Sequence, residues 1–416
     1  MKFFKILLKV VGGGILLIVI TFVILVRFTD LTISHSRKAI LGYNEETGNW
    51  VINDWEERHL KGIDGPYVFR ENGLLRSIRV VEQNQTLVVK KDSVKLDSVN
   101  RFPVVVDNPE KDQFWVTLQR QYIPQQSIYP QPPKLVAVSD IEGNFEAFQS
   151  LLQAQGVMDQ NFNWTFADGH LVLVGDFMDR GSNVTQVLWL IYQLEQEAAQ
   201  AGGKVHFVLG NHEALNLQQR INYVNKKYIA IAQKIADEKN YKVAYAQLMN
   251  KNNELVKWLK TKNLMVKIGD NLFVHGGISP ELVTSGLSIQ QINEIGRNTI
   301  AERLYNATEG DPNANLIAGR LGPLWFRGLV TDYKEYYKKS TEAQVHRALD
   351  AFAAKRMVIG HTVVEQVSAD YQGKVIRIDV NHKKAVQEGT CRGILIENDQ
   401  LYKVDDQGNR EMITDD

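Results

Sequence analysis

The stretch KLVAVSDIEGNFEAFQSLL, residues 134–152, reads as a buried strand that breaks into an acidic turn and then a helix. Its first apolar run is short and valine-rich, as strands covered on both faces are. Asp140, Glu142, Gly143 and Asn144 interrupt it, and FEAFQSLL resumes at helical spacing. The same pattern recurs downstream. HLVLVGD, KVHFVLGN, LMVKIGDNLFVHGG, RMVIGHT and KVIRIDV are further apolar runs, and helical stretches such as VTQVLWLIYQLEQEAAQ lie between them. Strands interleaved with helices predict an α/β core.

Around this core the chain divides by composition. It has 416 residues with 48 basic and 48 acidic side chains, a balance that argues against a nucleic-acid binder. Cys391 is the single cysteine, which excludes an internal disulfide and a thiolate-built zinc site. Residues 1–30 hold an apolar run of about 20 residues, enough to span a bilayer as a helix. Lys2, Lys5 and Lys9 precede it, so the expected topology is a single-pass anchor with a cytoplasmic N-terminus. The rest of the chain is then extracytoplasmic, periplasmic if the host is a bacterium. A cleaved signal peptide is the rival, but no small-x-small site closes the run. Residues 31–130 read as β-rich, and the prolines of QSIYPQPPK mark a boundary before residues 131–416. Within the latter, residues 214–266 form a helical insertion, either a packing element or a cap over a site.

Polar residues collect at the C-terminal ends of the apolar runs, where open α/β sheets bind ligands. Asp140 and Glu142 follow the first run, GDFMDRG (175–181) the second and GNHE (210–213) the third. HGG (275–277), WFRG (325–328) and GHT (360–362) come later. Singly, each has an ordinary reading: an aspartate there caps a helix or a turn, and a lone histidine is a hydrogen-bonded core residue. Together they say more. Asp140, Glu142 and Asp176, with Asn211, His212, His275 and His361, form an oxygen- and nitrogen-rich set without thiolates. Such a set suits two adjacent hard or borderline divalent cations. His35, His59, His170, His206, His346 and His382 fall outside the motifs and read as structural or surface residues.

In that order, DIEGN, GDFMDRG, GNHE, HGG and GHT resemble the calcineurin-like metallophosphoesterase superfamily. GDxxDRG with GNHE resembles its phosphoprotein phosphatase branch, and GPLWFRG with GHT is similar to the bacterial, Shewanella-like members. The likeness covers about residues 134–400 and leaves the N-terminal region unexplained. It implies a β-sandwich flanked by helices, to which this chain adds the β-rich extension, the helical insertion and the transmembrane helix. It also implies two divalent metals, with manganese favoured among manganese, iron, zinc and magnesium. Asp140 and residue 142 would hold the first, Asp176 would bridge, and Asn211, His275 and His361 would complete the second. His212 would protonate the leaving oxygen, with Asp179 orienting its ring. Arg180, Arg327 and Asn211 would hold the phosphoryl group while a hydroxide bridging the metals attacks in line.

One position departs from the pattern: Glu142 stands where the family usually has histidine. A carboxylate can still coordinate, so Glu142 reads as a substituted ligand, and a weaker first site is the alternative. The expected activity is hydrolysis of phosphomonoesters, on phosphorylated protein or a small phosphate ester. A dinucleoside polyphosphate hydrolase and a catalytically weak phosphate-binding pseudo-enzyme are the competing readings. Retention of Asp179, Arg180, His212 and Arg327 counts against the last, since a binding module needs no proton donor.

Overall fold

The computed structural model describes residues 33–35, 39–44, 49–54, 59–95, 101–302, 309–382 and 391–413, the first three segments as backbone only. The apolar segment at residues 1–30 lies outside the described residues. Among those described, no helix is long and apolar enough to cross a membrane.

The region before the core is β-rich. Strands β1–β3 (Ile33–His35, Ala39–Asn44, Asn49–Asp54) make one antiparallel sheet, and β4–β6 (Asp64–Glu71, Leu74–Gln83, Thr86–Lys95) make a second. β7 and β8 (Arg101–Val105, Gln113–Thr117) form a hairpin-like pair. The core strands follow as β9 (Ile128–Tyr129), β10 (Lys134–Val138), β11 (His170–Val174), β12 (Lys204–Val208), β13 (Met265–Ile268) and β14 (Asn271–Val274). β15 (Arg356–Ile359), β16 (Ser368–Asp370), β17 (Val375–Arg377), β18 (Arg392–Glu397), β19 (Gln400–Asp405) and β20 (Arg410–Met412) complete it.

These core strands form two six-stranded sheets, ordered β12-β11-β10-β18-β19-β20 and β16-β17-β15-β14-β13-β9. β10, β11 and β12 are mutually parallel, as are β14, β15 and β17. The sheets pack face to face, which the strand pleat makes visible residue by residue. Leu135, Ala137, Val172 and Val174 join Phe273, Val358, Ile376 and Ile394 in the layer between the sheets. Their alternate neighbours Val136, Val138, Leu171 and Leu173 join the outer core with the helices. Both faces of β10 and β11 are thus dry, which is why their sequences read as unbroken apolar runs. Each such aliphatic side chain contributes about 1.5–3 kcal/mol by burial.

Of the strands before the core, β4, β7 and β8 lie against it. The helix Val184–Gln200 is buried along most of its surface, including Trp189 and Tyr192, which are fully enclosed. A helix apolar on nearly all sides needs cover on all sides. Here β4 and the β7–β8 pair supply it: Trp189 Nε1 donates to Pro66 O at 2.9 Å, Phe102 packs on Trp189, and Gln186 Nε2 donates to Asp64 Oδ1 at 2.8 Å. The segment after GNHE contains helices Lys226–Ala236, Tyr241–Leu248 and Glu254–Leu259. The last is tied to β4 through Arg70 and Glu254, whose charged atoms lie 2.8 Å apart.

Candidate active site

Six polar side chains stand just past the C-terminal ends of six core strands. Asp140, Asp176 and Asn211 follow β10, β11 and β12 of one sheet, while His275, His361 and Asp379 follow β14, β15 and β17 of the other. All six residues are at most 7 % exposed. Because the sheets pack together with those ends on one side, side chains far apart in sequence converge without any long loop.

The turns themselves are strained. Asp140, Glu142, Asp176, Asp179, Arg180 and His361 all have φ between 50° and 71°, the left-handed region that side chains usually avoid. Cross-loop hydrogen bonds hold them there. Asp140 N donates to Gly175 O at 2.9 Å, Glu142 N to Asp176 O at 2.9 Å and Gly181 N to Glu142 O at 2.8 Å. Glu213 is the organiser beneath: its two oxygens accept from the amides of Asp176, Phe177, Met178 and Gly210 at 2.8–3.0 Å. Gly210 admits no larger residue, since a Cβ there would sit 2.1 Å from Asp176 Oδ1.

At the centre, candidate ligand atoms of Asp176, His275 and His361 lie within 4.8 Å of one another. His275 donates from Nδ1 to Val174 O at 2.8 Å, which turns Nε2 toward the site. That Nε2 lies 3.1 Å from Asp176 Oδ2 and 3.1 Å from Asn211 Oδ1. His361 is oriented likewise, with Nε2 3.2 Å from Trp325 O and its backbone N 3.1 Å from Asp140 Oδ2. An imidazole nitrogen facing two oxygens calls for positive charge between them. The acid–base balance says the same. Burial alone would lower His275, but Asp176 and Asp140 outweigh it and push it up to about 9. Burial raises Asp140 to about 6, with the charge of Asp176 adding to it. Asp176 is lowered despite its burial, because His275 and His212 stand beside it. Asp140, Asp176, Asn211, His275 and His361 therefore fit a divalent-cation site, by donor type and by their demand for positive charge.

Beside the cluster, His212 Nδ1 is 2.7 Å from Asp179 Oδ2, and its Nε2 is 3.8 Å from Asp176 Oδ2. Asn216, one helical turn on, donates to Asp179 Oδ1 at 2.9 Å and accepts from the Tyr245 hydroxyl. Burial would lower His212, but Asp176 and Asp179 outweigh it and raise it, favouring the proton-bearing form. Arg327 donates from Nη1 to His361 O at 2.5 Å and Thr362 Oγ1 at 3.2 Å, which places it at the rim. Arg180 is half exposed and carries the Tyr223 ring 5.5 Å from its guanidinium carbon.

Glu142 does not join the donor cluster here: its carboxylate pairs with Arg180. The other candidate residues stand around one centre. Three neighbours have no part in the sequence reading. Asp379 was legible in principle, since it ends the run KVIRIDV as the other acids end theirs; burial, Asp140 and Asp176 raise it far above the usual carboxylate range. Asn216 could be found from its spacing of four after His212 on a helix. Tyr223, whose ring is 4.8 Å from His212, has no local signal.

The comparisons with known proteins agree with this geometry. A family model described as calcineurin-like phosphoesterase matches residues 133–365. A Shewanella-like protein phosphatase 2 of Arabidopsis thaliana is 28% identical over 323 residues, covering 67% of this chain and 79% of the relative. A Shewanella-like protein phosphatase 1 of Plasmodium berghei is 33% identical over 229 residues, covering 55% of this chain and 61% of its own length. The crystal structure of a cold-active protein-tyrosine phosphatase from a psychrophilic Shewanella species superposes with a TM-score of 0.72 at 31% identity. That match covers 85% of this chain and 100% of the other. Strand-end donors, a histidine–aspartate pair and these relatives lead to one conclusion: the chain belongs to the calcineurin-like phosphoesterase family and is a metal-dependent phosphatase.

Proposed function

We propose that the chain is a two-metal phosphomonoesterase that acts on phosphorylated protein side chains. One observation carries this: a histidine–aspartate pair at 2.7 Å stands directly beside the buried donor cluster. A proton donor at the edge of a metal site is what cleavage of an alkyl or aryl phosphate needs, because the leaving oxygen must be protonated. The Shewanella neighbour bears the name of a protein-tyrosine phosphatase, which supports counting tyrosine phosphate among the substrates.

In this reading Asp140, Asp176, Asn211, His275 and His361 hold the cations, with Glu142 as a further candidate and manganese as the favoured ion. The cations supply charge neutralisation and acidify water when bound. Arg327 and Arg180 hold the phosphoryl oxygens, and a planar fork suits that geometry. His212 delivers its proton from Nε2 while Asp179 keeps Nδ1 protonated and the ring aligned. Arg180 must leave Glu142 or share it, so that pair tunes phosphate affinity.

The test is turnover of p-nitrophenyl phosphate, matched Ser-, Thr- and Tyr-phosphopeptides and diadenosine tetraphosphate, with each metal. Monoester turnover with little dinucleotide cleavage is the expected result. Preference for diadenosine tetraphosphate would transfer the chain to the polyphosphate hydrolases, and binding without turnover would make it a pseudo-enzyme. The extracytoplasmic placement of the domain behind a membrane anchor belongs to the same proposal and rests on residues 1–30 alone.

A further inference from the structure

The turn between Gly328 and Ser340 closes beside the site and carries chemistry that phosphoryl transfer does not use. Ser340 N donates to Gly328 O at 2.7 Å, and Lys339 N donates to Asp332 Oδ1 at 2.7 Å. Inside it, Tyr333 stacks on Tyr336 and Tyr337 with ring centroids 5.8 and 5.6 Å apart. The Tyr337 hydroxyl accepts from Arg327 N at 2.9 Å, and its ring lies 4.8 Å from Phe326. The stack is therefore bonded directly to the arginine that borders the phosphoryl position.

The turn with its preceding flank carries a basic excess. From residue 320 to 339 the chain has five basic residues and two acidic ones, Asp332 and Glu335, although the whole chain is neutral. Arg320 lies 4.4 Å over the Tyr336 ring and Lys334 lies 5.7 Å over Tyr333. Lys338 pairs with Asp332 and Lys339 with Asp370, while Lys334 is exposed. Tyr336 is 47% exposed.

We propose that this tyrosine-braced basic turn docks the acidic flank of a phosphorylated polypeptide, an inference that rests on the phosphatase reading of the site. Cations held against ring faces lose less freedom on binding than free side chains, so they are suited to recognition. A nucleotide base is the poorer occupant. The faces of these rings are already taken by one another, by Phe326 and by the cations, which leaves hydroxyls, ring edges and positive charge on offer. Acidic side chains complement that surface.

The experiment compares two phosphopeptides with the same phosphorylated residue, one flanked by aspartate and glutamate and the other by alanine. With the full chain and manganese supplied, kcat/KM should favour the acidic peptide by about tenfold at low ionic strength. The ratio should fall toward one in about 0.5 M salt, where the screening length is only a few ångströms. Lys334→Glu should flatten the ratio and Lys334→Arg should retain it. A ratio near one in the parent, or one untouched by Lys334→Glu, overturns the docking surface. So does diadenosine tetraphosphate turnover that exceeds the peptides and depends on Lys334. p-Nitrophenyl phosphate, which has no flank, separates the two claims: if it is turned over while the peptide ratio is flat, docking alone fails. If it is not turned over, the phosphatase reading fails first.

Discussion

The raised proton affinity of His212 comes from its neighbours. Burial by itself would lower it, and Asp176 and Asp179 outweigh burial. His212→Asn should lower turnover by about two to four orders of magnitude, the usual range for a general acid, with metal content unchanged. The loss should shrink for dinitrophenyl phosphate, whose leaving group needs no proton; equal losses for both substrates would remove the role. Asp179→Asn takes away a charge that raises the imidazole, so the proton-bearing form fails earlier as pH rises. The alkaline limb of its pH–rate profile should therefore move to lower pH. Glu142 poses the second question at this scale, because its carboxylate meets Arg180 while its backbone is locked against the Asp176 turn. If Glu142 also ligates, Glu142→His raises the cluster's positive charge and offers a softer donor. Metal preference should then move from manganese or magnesium toward zinc, and the working pH should fall. Unchanged metal preference and pH profile, with an altered KM, would leave Glu142 as the partner of Arg180 alone.

The helix Val184–Gln200 shows what the accessory strands are for. It begins just after GDFMDRG, so its position sets that of Asp179 and Arg180, and it is wrapped by β4, β7 and β8. Trp189 is fully buried where they meet. Trp189→Ala should cost about 3–5 kcal/mol and lower Tm by about 10 °C, while Trp189→Phe should cost much less. A thermal melt of both variants decides it, and a Tm unchanged in Trp189→Ala would mean that the strands contribute no cover. The helical segment acts on the turn that leads into this helix: Asn225 Nδ2 donates to Arg180 O at 2.9 Å, and Tyr223 lies against both Arg180 and His212. Its first turn is thus part of the wall of the site.

Across the whole molecule, the cation site joins loops from both sheets, so binding there ties the sandwich together at one end. Chelation should abolish turnover and manganese should restore it. Added metal should also raise Tm, since a ligand at a hundredfold excess over its Kd stabilises the folded state by about 2.7 kcal/mol. Tm insensitive to metal would argue against a site that spans the sheets. The membrane anchor is tested separately. Deleting residues 1–30 should leave a soluble, active enzyme, and a reporter that works only outside the cytoplasm should function when fused after Asp416. A reporter functioning only inside would overturn the charge-flank reading.

The sequence by itself determined the strands that carry the site, the turns after them and their order, but not β18–β20. An apolar run that ends in a polar residue beside a glycine or serine is a local signal, contained within about ten residues, and it marked Asp140, Asp176, Asn211, His275 and His361. What it could not contain is pairing at a distance. β18 lies beside β10 although some 250 residues separate them, and only face-to-face packing brings His275 of one sheet to Asp176 of the other. Asp379 entered the site by that packing, its motif being no more than a strand end. Tyr223 entered it through the fold of the helical segment. The partner of Glu142 was likewise a tertiary matter: the strand pattern gave the residue's place, but the cross-loop hydrogen bonds that seat it beside Arg180 join two turns about 40 residues apart. Local apolar periodicity is written along the chain, whereas the neighbours of a buried charge depend on which surfaces close over it.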